Sequence, residues 1–231
     1  MSTETVGQAV EQVQVPARLI EGMAPEFAKV LPSFITPEKY ARWGLSVIQK
    51  GLSGGTEQAA KQREAWQRVL GCEPGRLSLM SALMDCASLG LEPGRTYHLV
   101  PFGAEITGMT DYKGEIELIY RAMRQPVIAM TVREADSYEP QGPNTPPLHK
   151  YAAFKDRGEI IGGYAYAQFS PGLYSLVAEM SEADFLKHRD KAKTKNVWDE
   201  WPEDMRLKTL VRRLRKWVPW SVEVRDHGSA E

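Results

Sequence analysis

Beyond residue 33 the apolar positions fall three and four apart. Thr36-Pro37-Glu38 sets a capping residue before a proline in a first helical turn, and Tyr40, Trp43, Val47 and Ile48 follow at helical spacing. Gly51 and the Ser53-Gly54-Gly55 turn end that helix, and Thr56 opens a second towards Leu70. A third is predicted over roughly Ser78 to Leu89, stopped by Gly90. Residues 1–33 are polar and broken by Pro16, Pro25 and Pro32, so they read as a flexible segment with a short helix around Glu26 to Leu31.

The period then shortens. Thr96 to Phe102 and Glu105 to Met109 are β-like runs around Gly103-Ala104, a predicted hairpin. Asp111 caps a helix to about Arg124, ended by Pro126, and Val127 to Arg133 follows as a strand. After a Pro-rich loop from Glu139 to Pro147, three antiparallel strands are predicted: His149 to Phe154, Glu159 to Phe169 and Leu173 to Met180. Ser181 and Asp184 resemble a capping box for a helix to about Arg189. A polar linker leads to a last helix, Glu203 to Trp217, closed by Pro219. The fold class is therefore α+β: N-terminal helices, a ββαβββα core with an antiparallel sheet, and a C-terminal basic amphipathic helix. The expected organisation is a flexible segment over 1–33, one core over 34–219 and a short tail over 220–231. Within that core, 34–90 is helical and 91–219 is α+β.

Charge changes the picture where composition does not. The 231 residues carry a net charge of −1. From Lys187 to Lys216, however, 11 Lys and Arg stand against 5 Asp and Glu, so this stretch carries +6 and the remainder −7. That asymmetry suits a polyanion site on an otherwise acidic body. On the last helix Leu207, Leu210, Val211, Leu214, Trp217 and Val218 share a sector, and Arg206, Lys208, Arg212, Arg213, Arg215 and Lys216 occupy the opposite half. No acidic residue follows Asp204 in it, so the cations are expected to be neutralised from outside, by phosphate in one reading and by carboxylates elsewhere in the fold in the other. Just before it, Lys187, Arg189, Lys191, Lys193 and Lys195 alternate through a polar stretch that suits a loop following a phosphate backbone. On the helix from Asp111, Tyr112 is a candidate for stacking on a base or for the core. There Lys113, Glu117 and Arg121 are a candidate cationic edge or a bland i,i+4 ladder.

Catalytic constellations are missing. The chain has no Gly-x-x-x-x-Gly-Lys-Ser/Thr loop and no nucleophile elbow or zinc-binding pair. Four scattered histidines and two cysteines, Cys72 and Cys86, give no metal spacing, and the thiols are expected to be buried and free. Asp199, Glu200, Glu203 and Asp204 could hold a divalent ion, though acids at a helix start also serve the helix dipole. No run approaches membrane-spanning length and the start lacks a signal-peptide pattern, so a cytoplasmic protein with no membrane partner is expected.

Two segments resemble the RecT family of phage single-strand annealing proteins. The first is Leu89-Gly90-Leu91-Glu92-Pro93, then Tyr97 to Phe102, then Asp111-Tyr112-Lys113-Gly114 to Tyr120-Arg121. The second runs from Trp198 through Met205-Arg206-Leu207-Lys208-Thr209 and Arg212-Arg213 to Lys216-Trp217-Val218-Pro219. The order is the family's, over roughly residues 77–219. Asn196-Val197-Trp198 stands where the family often has Ser-Pro-Trp, and the chain stops twelve residues after Pro219, so any C-terminal partner-binding region is expected to be small or absent. The resemblance implies a non-enzymatic protein of the bacterial host cytoplasm. It would bind single-stranded DNA and anneal it to its complementary strand without ATP, as a homo-oligomeric ring or filament. No cofactor would be required, and Mg2+ is a candidate ion. A phage exonuclease and a host single-strand-binding protein are its implied partners. Carried over by position, Tyr112, Lys113, Arg121, Lys208, Arg212 and Arg213 are the implied DNA contacts, and the charge pattern adds Lys191, Lys193, Lys195 and Lys216. The readings from other classes are a phage structural or scaffold protein and a metal-dependent nuclease.

Overall fold

The computed structural model describes residues 17–123, 126–192 and 195–222. Its contacts gather in two units, Met1–Gly114 and Glu115–Glu231.

The first unit is helical, with one hairpin. Residues 17–22 are helical, and α1 (Ala24–Val30), α2 (Pro37–Leu52), α3 (Glu57–Gly71) and α4 (Glu73–Ser88) follow. The Thr36 and Thr56 side chains accept hydrogen bonds from the Lys39 and Ala59 amides at 3.3 and 3.2 Å, so both predicted caps form. Phe27, Tyr40, Ile48, Trp66, Leu79 and Leu83 fill the interior. The Tyr40 hydroxyl is buried, and donates to the Leu83 carbonyl at 2.5 Å. Gly51 lets α2 lie against the Trp66 ring, since a Cβ there would fall 2.3 Å from its indole nitrogen. The third predicted helix starts earlier than its apolar pattern does. Pro74 is tolerated in the first turn, and the missing Gly75 side chain lets the backbones of Val69 and Ala104 come close.

The hairpin forms as β1 (Tyr97–Phe102) and β2 (Glu105–Thr110), paired antiparallel. It packs on α4, where the Ile106 amide donates to the Ser78 hydroxyl at 2.8 Å. The expected change at residue 90 therefore leaves the hairpin with the helices. Gly90, at φ +61°, ends α4, and the Glu92 carbonyl accepts from the Thr96 and Tyr97 amides at 3.0 and 3.2 Å. At the start of α5 (Tyr112–Met123), a Cβ on Gly114 would lie 2.4 Å from the Thr96 carbonyl oxygen. The Gly-Leu-Glu-Pro and Tyr-Lys-Gly segments thus meet as one backbone joint.

The second unit is built on β6 (Ile160–Ser170). It pairs antiparallel with β3 (Val127–Arg133), β7 (Leu173–Tyr174) and β8 (Ala178–Ser181). On one face Gly163, Ala165 and Ala167 are small, and Phe185 of α6 (Glu182–Lys191) and Leu210 of α8 (Pro202–Leu214) pack there with Leu214, Trp198 and Ile119. On the other face Tyr164 stacks with Tyr166, ring centroids 6.1 Å apart, and meets Tyr138 and His149. Beneath them Asp136 accepts from Arg157 Nε and Nη2 at 2.8 and 2.6 Å and from the Arg133 amide at 2.8 Å. The Arg157 guanidinium chiefly holds the Asp136 carboxyl well below the usual carboxylate range.

Three details of the predicted ββαβββα core change. Strand β5 (Leu148–Lys150) pairs with β4 (Ser137–Glu139), not with β6, so a small ribbon closes the Pro-rich loop. The last predicted strand splits, because the Ser175 hydroxyl takes the Ala167 amide at 2.9 Å and the Val177 amide turns away to the Pro143 carbonyl at 2.7 Å. The polar linker holds a short helix, α7 (Asn196–Glu200), and the last helix gives way at Arg215 to a 3-10 turn through Trp217. Ser181 caps α6 by accepting from the Asp184 amide, as the capping-box reading expects.

Candidate nucleic-acid interface

The second unit presents its cations on α8. Pro202 fits the first turn, where its missing amide costs nothing, and Glu203 and Asp204 lie at the positive end of the helix dipole. Arg212 and Arg213 lie in the last turn, at its negative end. Leu210, Val211 and Leu214 are buried, which fixes which way the polar side points. That side forms part of a cleft of about 340 Å³ lined by Met205, Lys208, Thr209, Arg212, Arg213 and Lys216, with His188, Ala192 and Trp198 completing it.

Four of the predicted contacts, Lys208, Arg212, Arg213 and Lys216, therefore share one concavity. Lys191 is exposed at the end of α6, next to Ala192 of the cleft. Lys195 is exposed and lies 3.5 Å from the Asp190 carboxylate. Lys193 lies outside the described residues. His188 and Trp198 were not among the predicted contacts; the fold brings them to the helix.

The cations are not alike. Arg206 turns aside to pair with Glu182 and to donate to the Pro202 carbonyl at 2.7 Å. Arg215 reaches Glu115 at 3.3 Å and also lies over the Trp220 ring, 5.5 Å from its centroid. Arg212 pairs with the same carboxylate at the longer distance of 3.9 Å and stays half exposed. Arg213 and Lys216 are exposed and have no carboxylate partner among the described residues. Neutralisation from within thus accounts for Arg206 and Arg215 and reaches Arg212, while Arg213 and Lys216 keep outward charge on the cleft side.

The first motif is placed differently. Tyr112 and Lys113 close the first unit; Lys113 is exposed, with its ammonium 6.0 Å from the half-buried Tyr112 ring. Arg121 departs from the expectation of a DNA contact. It is 5% exposed, pairs with Glu117 and donates to the Val222 carbonyl at 3.2 Å. It ties the chain after α8 back to α5, where the Ser221 amide also donates to the Leu118 carbonyl at 3.1 Å. Two members of the acidic cluster are likewise engaged: Asp199 with Arg189 at 2.6 Å, and Glu203 with Arg133 at 3.1 Å and the Thr131 hydroxyl at 2.5 Å. No helix among the described residues is long and apolar enough to cross a membrane.

The expectation drawn from the two motifs can now be set beside known proteins. The chain is similar to Protein RecT of Escherichia coli (strain K12), with 26% identity over 216 residues, covering 87% of this chain and 74% of that protein. The model of the RecT family matches residues 62–231, which include the backbone joint at Gly114, the whole of α8 and the cleft. The chain belongs to the RecT family of DNA recombination and annealing proteins.

Proposed function

We propose that this chain binds single-stranded DNA along the outer side of α8 and anneals it to its complement without ATP. The observation that carries this reading is the cleft where Lys208, Arg212, Arg213 and Lys216 converge while the opposite side of the helix is locked into the core. Phosphate contacts hold a strand without reading its sequence, which is what annealing requires: the backbone is gripped and the bases stay open to a second strand. Lys191 and Lys195 extend the same charge beyond the end of α6. Tyr112 and Lys113 remain candidate contacts on the first unit, and Lys193 belongs to the proposed set by its sequence position. Arg121 is left out of the set because its charge is spent inside the fold.

A protomer of this size covers few nucleotides, so productive annealing calls for many copies along one strand, as a ring or filament, with the helical region Thr36 to Leu89 as the candidate contact surface. A phage exonuclease that exposes single strands, and a host single-strand-binding protein that competes for them, are the expected partners in the bacterial cytoplasm. The test mixes fluorescently labelled complementary oligonucleotides. The proposal predicts faster pairing with protein and no nucleotide, and no loss of strand length with magnesium. Pairing at the spontaneous rate would overturn it, and strand cleavage with magnesium would favour a nuclease.

A further inference from the structure

The sequence pattern assigns Trp217 to the apolar sector that seats the last helix. The structure removes it from there. The helix gives way at Arg215, and Trp217 is 59% exposed, while Leu210 and Leu214 below it are fully buried. Its ring has no aromatic or cationic partner among the described residues, in contrast to Trp220, which lies under Arg215. An indole left in water forfeits a large burial gain, and an exposed tryptophan directly after a run of cations is a chemically distinct feature. Lys216, directly before it, lines the cleft, and Arg213 stands one turn earlier.

We infer that Trp217 is a stacking platform for a base of the strand whose phosphates α8 holds. The ligand class is single-stranded nucleic acid, read through the face of a base and not through its edge. Every base has a π face, so the contact tolerates sequence as annealing demands. In a duplex the faces are taken by neighbouring base pairs, so the same indole discriminates for unpaired strands. Phosphate contacts alone do not make that distinction, which gives the exposed Trp217 a role the cations cannot fill. This inference rests on the proposed reading of α8 as the strand-binding side.

The experiment compares a dT oligonucleotide with an abasic oligonucleotide of equal length, which keeps the phosphates and lacks the bases. Binding of each is measured for the parent, Trp217→Ala, Trp217→Phe and Arg213→Ala. Trp217→Ala is expected to lose on the order of tenfold in affinity for dT and nothing for the abasic strand, with Trp217→Phe recovering most of the loss. Arg213→Ala is expected to lose affinity for both ligands, which marks the phosphate contact. Trp217→Ala losing equally on both ligands, or on neither while Arg213→Ala loses on both, overturns the stacking role and leaves the proposed strand-binding side standing. Arg213→Ala at parent affinity on both ligands overturns that reading of α8 and the inference with it. Thermal melting of each variant checks that the exposed position is silent for folding, and a large drop in Trp217→Phe, which keeps an aromatic ring, would contradict the surface role.

Discussion

Gly163 sets how closely α8 lies on the sheet, and one added methyl tests it. A Cβ at Gly163 would fall 2.8 Å from the Met130 carbonyl oxygen and 2.9 Å from a Leu210 methyl, with Phe185 at 3.5 Å. Leu210 can shift; the Met130 carbonyl belongs to the paired strand β3 and can move only by disturbing the β3–β6 ladder. Overpacking of this kind costs ~1–3 kcal/mol, and the backbone clash places Gly163→Ala toward the upper end. With a urea dependence of ~1–3 kcal/mol per molar, the unfolding midpoint drops by roughly 1 M. Gly71→Ala adds the same methyl at the end of α3, where a Cβ meets nothing within 4 Å. That variant should be neutral or stabilised by up to about 1 kcal/mol. Leu210→Ala alone should cost ~2–5 kcal/mol, since Leu210 is fully buried. Combined with Gly163→Ala it should cost less than the sum, because the new methyl occupies part of the space Leu210 vacates. A parent-like midpoint for Gly163→Ala, or strict additivity of the pair, would refute this account of how α8 is seated.

Asp136→Asn should destabilise the protein by ~3–5 kcal/mol at neutral pH, since it removes the charged partner of the largely buried Arg157. Because the folded carboxyl titrates well below its unfolded value of about 4, its contribution is fully present above that value and is lost as the pH falls beneath it. Urea unfolding between pH 7 and pH 3 should therefore fall steeply for the parent and more gently for Asp136→Asn; parallel curves would contradict it. Arg121→Ala should lower stability by breaking the Glu117 pair and the Val222 link while leaving the salt dependence of DNA binding at the parent slope; a changed slope would return Arg121 to the interface. Cys86 is buried and its thiol is pushed up to about 12 by desolvation, so it should resist thiol labelling in the native protein while the more accessible Cys72 reacts first. Equal labelling rates would show that the α4 core opens readily.

The helices with clear caps and the strand Val127 to Arg133 were legible because their signals are local: Thr36, Thr56 and Ser181 each meet an amide three residues on, and apolar spacing does the rest. The basic side of the last helix was legible for the same reason. What escaped depends on distant partners. A helical wheel shows Arg206 and Arg215 as outward cations, but Glu182 and Glu115, remote in sequence, draw them in. Arg121 looked exposed beside Glu117, yet a carbonyl 101 residues away completes its burial. The same limit hid the β4–β5 ribbon, whose three-residue strands are held by the His149, Tyr164 and Asp136 contacts more than by any strand-like pattern. Trp217 failed the wheel because the wheel assumes a helix that continues, and this one tightens at Arg215.

The salt dependence of single-strand binding is the measurement closest to the claim that α8 holds the phosphates. In the parent, the logarithm of affinity should fall linearly with the logarithm of salt concentration. Arg213→Ala and Lys216→Ala should each flatten that slope by about 0.7, one phosphate's share on a single strand, and the double variant by about twice as much. Nucleotide-free annealing should slow in the same order, with folding intact because both side chains are exposed. A double variant that keeps both the parent slope and the parent annealing rate would contradict the assignment of α8 as the strand-binding side.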